Sequence, residues 1–421
     1  MGQSVEVDAS PAGCARAPAG PGQAGRSGGG PAPCTLVTTA GGTLHCFGTG
    51  SRGQLGHEDG SHDEPTPREV TAVPPQVTCV ALRHNHAAAV STGGELWAWG
   101  AAGPGALGHP RSNAGANAGV VQLPGAGPPV ALVLPVALAV AAPRRIELPT
   151  MAAVALVAVG QSHTACLTAD GAVYTWGYGR QGALGHGAAL GGIHSERQPN
   201  EDIIYTPKRV EALADIGRCV EIACGGQTTA AVTEGGALYM WGTIPDSGLT
   251  ENPRALDDAG FERHRDSRLG GDRTVLTPEL VELGFNPGAM ARQPFAYERP
   301  VSVRTVACGR YHFAAVGAWR RRCSACRSVD AGSSTGRRAC SGCETVSCVW
   351  TWGNGGDGAL GQGGGEDDLS APTPSMVLGG AFCGRFPTDV ISVSCGESHT
   401  SCVTASGDLY CCKSQAIPTA T

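Results

Sequence analysis

Residues 163–176 read as a run of small and apolar side chains, a turn, and then an alternating segment. Thr, Ala, Cys and Leu fill 164–168, Asp170-Gly171 supplies a tight turn, and 172–176 alternates small or polar with large apolar residues up to Trp176. That pattern predicts two antiparallel strands joined by a hairpin. Imperfect copies of the phrase recur on both sides of it. The tail of one lies at 48–57, a second spans 86–109, and the fullest is 160–186. A fourth covers 224–242, a fifth starts at 307–312 and resumes at 350–361, and a sixth runs 394–410. Trp176 to Trp241 is 65 positions and Phe47 to Trp99 is 52, room for about four short strands per unit. Such units bury their apolar faces only against neighbours, and stacked radially they make an all-β propeller.

Composition agrees with short strands and many turns. Sixty-four glycines and 29 prolines stand against seven tryptophans, so most glycines are expected to be structural. One continuous array predicts a single toroid over most of the 421 residues. A net charge of −6 leaves no electrostatic footprint for DNA or RNA. Residues 1–33 are rich in Gly, Ala and Pro and are expected to be a disordered tail. No apolar core follows Met1, which argues against secretion and for an intracellular protein, cytoplasmic or nuclear. Met1-Gly2 with Glu6 does not meet the myristoylation pattern. The most apolar run, 130–142, is interrupted by Pro135 and falls short of the about 20 residues of a membrane span. It reads as an insertion packed on the toroid, or as a partner-docking segment.

Residues 160–187 open with Gly-Gln-Ser-His-Thr and close with Trp-Gly-Tyr-Gly-Arg-Gln-Gly-Ala-Leu-Gly-His-Gly. They resemble the repeat of the regulator of chromosome condensation family nearly throughout, and the resemblance extends over 34–412 with interruptions. It implies a seven-bladed β-propeller, of which six repeats are legible. The last copy breaks off as Leu409-Tyr410-Cys411-Cys412-Lys413 where Tyr-x-Trp-Gly is the pattern. Either the array is incomplete, or a degenerate blade lies in 110–149 or 243–300. Insertions are assigned to 110–149, 243–300 and 317–348, and a C-terminal tail to 413–421.

The candidate chemistry divides into repeated and unrepeated groups. Gly48-Thr-Gly50-Ser-Arg-Gly53, Gly177-Tyr-Gly179-Arg-Gln-Gly182 and Gly353-Asn-Gly355-Gly-Asp-Gly358 each match GxGxxG. None precedes an amphipathic helix with an acidic residue in a βαβ unit, so a repeated inter-strand loop is expected, not a dinucleotide site. His163, His312, His399 and, more loosely, His86 hold one place in their repeats. A ring of ligands around a central channel is one reading; imidazoles bonding backbone within their own blades is the expected one. His57, His109 and His186 after Leu-Gly, and Cys224, Cys308 and Cys395 before a glycine, are likewise expected to build blades. Most of the eighteen cysteines read as reduced, small core residues. Cys323-Ser-Ala-Cys326 and Cys340-Ser-Gly-Cys343 differ: two CxxC knuckles with 13 residues between them. Four thiolates so placed can hold a structural zinc, at a spacing just below the usual range; a bare cysteine-rich loop is the alternative. Arg320, Arg321, Arg322, Arg327, Arg337 and Arg338 surround them as a solvated tip or a dock for an acidic or phosphate-bearing partner.

No nucleophile elbow, HExxH or Walker loop is present, so the sequence predicts a binding module and not an enzyme. The family resemblance implies a protein partner, specifically a Ras-like small GTPase served by a guanine-nucleotide exchange factor. Exchange needs no bond chemistry, only a wedge that destabilises bound nucleotide and magnesium. The alternative it leaves open is a substrate-recruiting or scaffold propeller of a ubiquitin-ligase assembly. No HECT-like domain accompanies the repeats here, and the paired CxxC lacks the further ligands of a RING. No basic tail supports direct contact with chromatin.

Overall fold

The computed structural model describes residues 15–16, 23–26, 34–59, 62–83, 85–101, 103–110, 139–187, 203–245, 272–283, 301–321, 344–355, 358–362, 370–377 and 389–412. Apart from short 3-10 turns such as Arg180–Gly182 and Glu211–Leu213, the regular structure is β. Strand β1 (Ala15–Arg16) flanks the second of six sheets. Blade 1 is β2 (Gln23–Arg26), β3 (Cys34–Thr38), β4 (Leu44–Gly48) and β5 (Glu64–Glu69). Blade 2 is β6 (Val77–Arg83), β7 (His86–Ser91), β8 (Leu96–Ala101) and β9 (Ala139–Ile146). Blade 3 is β10 (Val154–Val159), β11 (His163–Thr168), β12 (Val173–Tyr178) and β13 (Ile203–Arg209). Blade 4 is β14 (Cys219–Cys224), β15 (Thr228–Thr233), β16 (Leu238–Pro245) and β17 (Asp272–Val281). Blade 5 is β18 (Ser302–Cys308), β19 (His312–Arg321), β20 (Glu344–Asn354) and β21 (Ser370–Met376). Blade 6 has three strands, β22 (Val390–Cys395), β23 (Thr400–Thr404) and β24 (Leu409–Cys412).

Each sheet is an antiparallel meander, and the six form a β-propeller. First strands of successive blades pack on one another, β6 on β10, β10 on β14, β14 on β18 and β18 on β22. They therefore lie nearest the axis, while fourth strands such as β5 and β13 form a largely exposed rim. Second strands β7, β11 and β15 are buried along their whole length, with no polar-apolar alternation. Sandwiched between two neighbouring blades, they have no solvent face, and Ala, Thr, Cys and Val let the sheets approach. The hairpin expected at Asp170-Gly171 is present: Gly171 N–H donates to Thr168 O at 2.8 Å, with the glycine at a φ of +90°.

Six blades stand among the described residues where the resemblance implied seven. In the two stretches that might hold another, the described residues supply fourth strands, β9 within 110–149 and β17 within 243–300, and 111–138, 246–271 and 284–300 lie outside the described residues. Residues 317–321 and 344–348 lengthen the β19–β20 hairpin. Residues 139–142 of the apolar run open β9, and 130–138 lie outside the described residues. Within the stretch 1–33 the described residues 15–16 and 23–26 form β1 and β2, which pair with β6 and β3; the rest of the expected tail lies outside the described residues. Composition alone misses this because a first strand leaves an edge of backbone groups that even a Gly/Ala segment can satisfy.

The fourth strands share a signature that repeat reading overlooked. Thr66-Pro-Arg-Glu-Val70, Ala142-Pro-Arg-Arg-Ile146, Thr206-Pro-Lys-Arg-Val210, Thr277-Pro-Glu-Leu-Val281 and Thr373-Pro-Ser-Met-Val377 occupy one place in five blades. In each, three residues ending in proline oppose a single aromatic of the third strand. Tyr205, Thr206 and Pro207, for example, face Trp176 between the pairs Gly177↔Ile204 and Thr175↔Lys208. The same shift recurs in blades 1, 2, 4 and 5. Proline is tolerated because a bulged rim strand needs no N–H there.

Candidate interaction surface

The meander sorts every connection onto one of two faces. Pairs Val159↔Thr164, His163↔Gly177 and Tyr178↔Ile203 place the first-to-second turns and the third-to-fourth loops at one end of each blade, the loop face. Second-to-third turns such as 169–172 lie on the opposite, turn face. Blade 5 departs from the others there. Its β19–β20 ladder runs from His312↔Gly353 to Arg321↔Glu344, ten pairs, against five for β11–β12. Residues 322–343 join the two ends of that lengthened hairpin. Cys323, Cys326, Cys340 and Cys343, the candidate zinc ligands, lie outside the described residues, as do Arg322, Arg327, Arg337 and Arg338. Among the described residues no group of His, Cys, Asp or Glu is arranged to hold a metal ion.

The GxGxxG loops are sockets for the next blade. Each folds as two successive turns: Gly53 and Gly56 N–H donate to Gly50 and Gly53 O at 2.9 and 3.1 Å, and Gly182 and Gly185 to Gly179 and Gly182 at 3.0 and 2.9 Å. In blade 1 and in the corresponding 103–108 loop of blade 2 a carbonyl so exposed accepts the indole N–H of the following blade, Trp99 to Gln54 O at 2.9 Å and Trp176 to Ala106 O at 3.0 Å, whereas Ala183 O takes the Thr229 hydroxyl and Trp241 Nε1 is buried with no partner among the described residues. Gly108, at a φ of +73°, lies so close that a Cβ there would sit 2.8 Å from Trp176 Nε1. The Leu-Gly pair is thus required by the neighbour's tryptophan, which explains the motif without any phosphate.

The repeated histidines also reach into the next blade, not their own backbone as expected. His86 Nε2 lies 3.3 Å from Thr164 Oγ1, and His163 Nε2 lies 3.0 Å from Thr229 Oγ1. Thr164 and Thr229 give their own protons to Ala106 O and Ala183 O, at 2.8 and 2.7 Å. Each imidazole must therefore be the donor through Nε2–H. His312 Nε2 donates to His399 O at 3.2 Å. Burial, with Arg83 adding repulsion, pushes His163 down from 6.5 to about 3, and burial takes His312 to about 4. These rings are neutral donors and not acids or ligands. His186 Nε2 similarly donates to Thr175 Oγ1 at 3.0 Å, since that hydroxyl is spent on Leu184 O at 2.6 Å. In blade 5 the same place holds Gln362, whose Nε2 donates to Thr351 Oγ1 at 3.0 Å. An amide serves as well as an imidazole, so basicity is not what the position uses. His57 Nε2 donates to Arg68 O at 3.4 Å. His109 Nε2 is buried with no partner among the described residues.

Arg83 breaks the pattern at the axis. It stands where the other copies have Gly160, Gly225, Gly309 and Gly396, and it is buried. From blade 2 its Nη1 donates to Cys224 O of blade 4 at 2.9 Å and to Cys308 O of blade 5 at 3.3 Å. No carboxylate pairs with it among the described residues, and burial lowers its pKa from the ordinary value. Burial likewise raises the Cys224 and Cys395 thiols to about 12 and Cys308 well above its ordinary value, as expected of inert core residues.

The loop surface around this axis carries an exposed aromatic. Tyr311, in the first-to-second turn of blade 5, is 50% exposed. The Arg310 guanidinium lies 5.1 Å from its ring centroid and pairs with Glu397 of blade 6 at 2.5 Å. An exposed tyrosine stiffened by a stacked, ion-paired arginine is the kind of group that anchors protein interfaces.

The family model described as Regulator of chromosome condensation (RCC1) repeat matches residues 170–232 and 347–403, and a second of the same description matches 154–183. The chain carries regulator of chromosome condensation repeats. The two longer matches are out of step with the sheets, 170–232 starting in the β11–β12 turn and ending inside β15 of the next blade, whereas 154–183 begins with β10. The human E3 ubiquitin-protein ligase HERC2 is 29% identical over 381 residues, 89% of this chain and 6% of its own length. The Ultraviolet-B receptor UVR8 of Arabidopsis thaliana is 26% identical over 390 residues, 89% of this chain and 73% of its own. The crystal structure of human WBSCR16 has a TM-score of 0.54 at 17% identity, covering 94% of this chain and 72% of that one, and shows the shared fold. The chain thus spans a small fraction of the ligase. Among the described residues no helix is long and apolar enough to cross a membrane.

Proposed function

We propose that this propeller is a protein-docking module whose loop face engages a Ras-like small GTPase and accelerates nucleotide exchange. The observation that carries the docking reading is the fate of the repeated polar groups. The bonded histidines, threonines and tryptophans are committed within or between blades, which leaves a rigid ring presenting Tyr311 and Arg310 beside the axis. Such a ring has no bond chemistry to offer, and exchange demands none, only a stiff surface that favours the nucleotide-free partner. Family resemblance supplies the choice of a GTPase.

The test is capture of nucleotide-free against nucleotide-loaded small GTPases, followed by release of fluorescent GDP from any that bind. The expected result is preference for the empty form, faster release, and loss of both in Tyr311→Ala without a change in melting temperature. Binding that ignores nucleotide state overturns the exchange reading. That outcome would favour a second reading, a substrate-recruiting propeller of a ubiquitin-ligase assembly, to which the match with HERC2 across 89% of this chain gives support.

A further inference from the structure

One charge in the core lacks a counter-charge. Arg83 is 7% exposed and ends β6 at the loop face, beside the axis. A guanidinium carries five N–H groups. The two of Nη1 go to Cys224 O and Cys308 O, while Nε and Nη2 make no hydrogen bond among the described residues. Two residues beyond Cys308, Arg310 shows a similar deficit. Its Nη1 pairs with Glu397, and its Nε is buried with no partner among the described residues. Glu397 also acts electrostatically on Arg83, so one carboxylate serves two guanidiniums and one positive charge is left over. His163 and His312, both close enough to feel Arg83, are neutral and change nothing in this balance.

We propose that the loop-face mouth of the axis binds one small oxyanion of the phosphate or sulfate class, gripped by the Nε/Nη2 edge of Arg83 and attracted by Arg310. That edge presents two parallel N–H groups, the fork that takes two oxygens of a single anion. The Cys224 and Cys308 carbonyls repel an anion from the Nη1 side, which directs it to the other edge. Glycines make the room. Gly160, Gly225, Gly309 and Gly396 hold the place of Arg83 in blades 3 to 6, so no other side chain from that position crowds the axis. Their N–H groups are spent on His163, Thr228, His312 and His399 O at 2.7 to 2.8 Å, so the arginines are what hold the ligand. An unpaired charge in the core is costly, and a bound anion offsets that cost. The site goes beyond the exchange reading and does not rest on it, since it needs no protein partner.

The test is calorimetric titration of the full chain with inorganic phosphate, in a chloride buffer held at constant ionic strength so that screening does not change. The expected result is saturable binding of one phosphate per chain, weakened about tenfold or more in Arg83→Met, which fills the space without the charge or the fork. Phosphate should also raise the melting temperature of the native chain and leave that of Arg83→Met where it was. Arg310→Gln, at a side chain 39% exposed, leaves the fold intact and should weaken binding to a lesser degree. Absence of saturable binding overturns the proposal. Equal affinity in Arg83→Met also overturns it, because the anion would then sit elsewhere. Should circular dichroism show Arg83→Met unfolded, undiminished affinity in Arg310→Gln overturns it instead.

Discussion

The imidazoles that hold neighbouring blades together make the fold sensitive to acid. His163 and His312 stay neutral in the native state, with pKa values near 3 and 4, but take up protons near 6.5 once unfolded. Below pH 6.5 the unfolded chain binds more protons, so stability is complete above that pH. It falls by up to about 1.4 kcal/mol per pH unit for each ring as pH drops towards 4. His186 is held near 4 in the same way. Denaturant titrations between pH 7 and 5 should show this slope, and His163→Gln should lessen it by about one ring's share while retaining a donor, as Gln362 does in blade 5. Arg83 makes a different prediction. Arg83→Gly, the residue of the other copies, leaves a void and two unmatched carbonyls and should cost about 3–5 kcal/mol. Arg83→Met refills the void and should lose only about 1–2 kcal/mol. Equal losses would show that the bonds to Cys224 and Cys308, which both variants lack, and not packing, give the residue its weight.

At the scale of the element, the socket loops are the most constrained segments. Gly108→Ala meets both a left-handed backbone and the Trp176 indole, and a loss of about 2–4 kcal/mol in chemical denaturation is expected. The hairpin of blade 5 carries the metal question. Register Arg321↔Glu344 brings the two ends of the segment bearing both CxxC pairs side by side. On the proposal that these bind zinc, the purified chain should hold one metal per molecule, lost in a Cys323→Ser/Cys340→Ser variant; equal metal in both would refute it. Strands two and three of each blade were legible in the sequence because the hairpin turn and the Trp-Gly pair sit on them. Fourth strands were not, since proline and bulges erase the alternation that marks a strand, although Thr-Pro-x-x-Val recurs in four places and Ala142-Pro-x-x-Ile146 stands in a fifth. The histidines were legible as a repeated set. Their partners were not, because Thr164 and Thr229 belong to the following repeat, 78 and 66 positions away.

For the whole molecule, the two faces separate two kinds of function. Conserved geometry of the sockets stiffens the loop face around Tyr311, while the lengthened hairpin of blade 5 marks the turn face. An exchange partner on the loop face should be unaffected by the Cys323→Ser/Cys340→Ser variant. Interference, seen in a binding assay, would place the partner elsewhere.

The bonds of Trp99, Trp176 and Thr229 all point back to the blade made just before them. A nascent chain can therefore begin to dock each sheet as it leaves the ribosome, its histidines waiting only for the next sheet to arrive. Arg83 waits longer. Its acceptors lie 141 and 225 residues downstream, so a charged side chain laid down early stays in water until the fifth sheet arrives. The last stage of assembly is then the withdrawal of that charge from solvent, and a chain stalled before Cys308 should persist as an open arc.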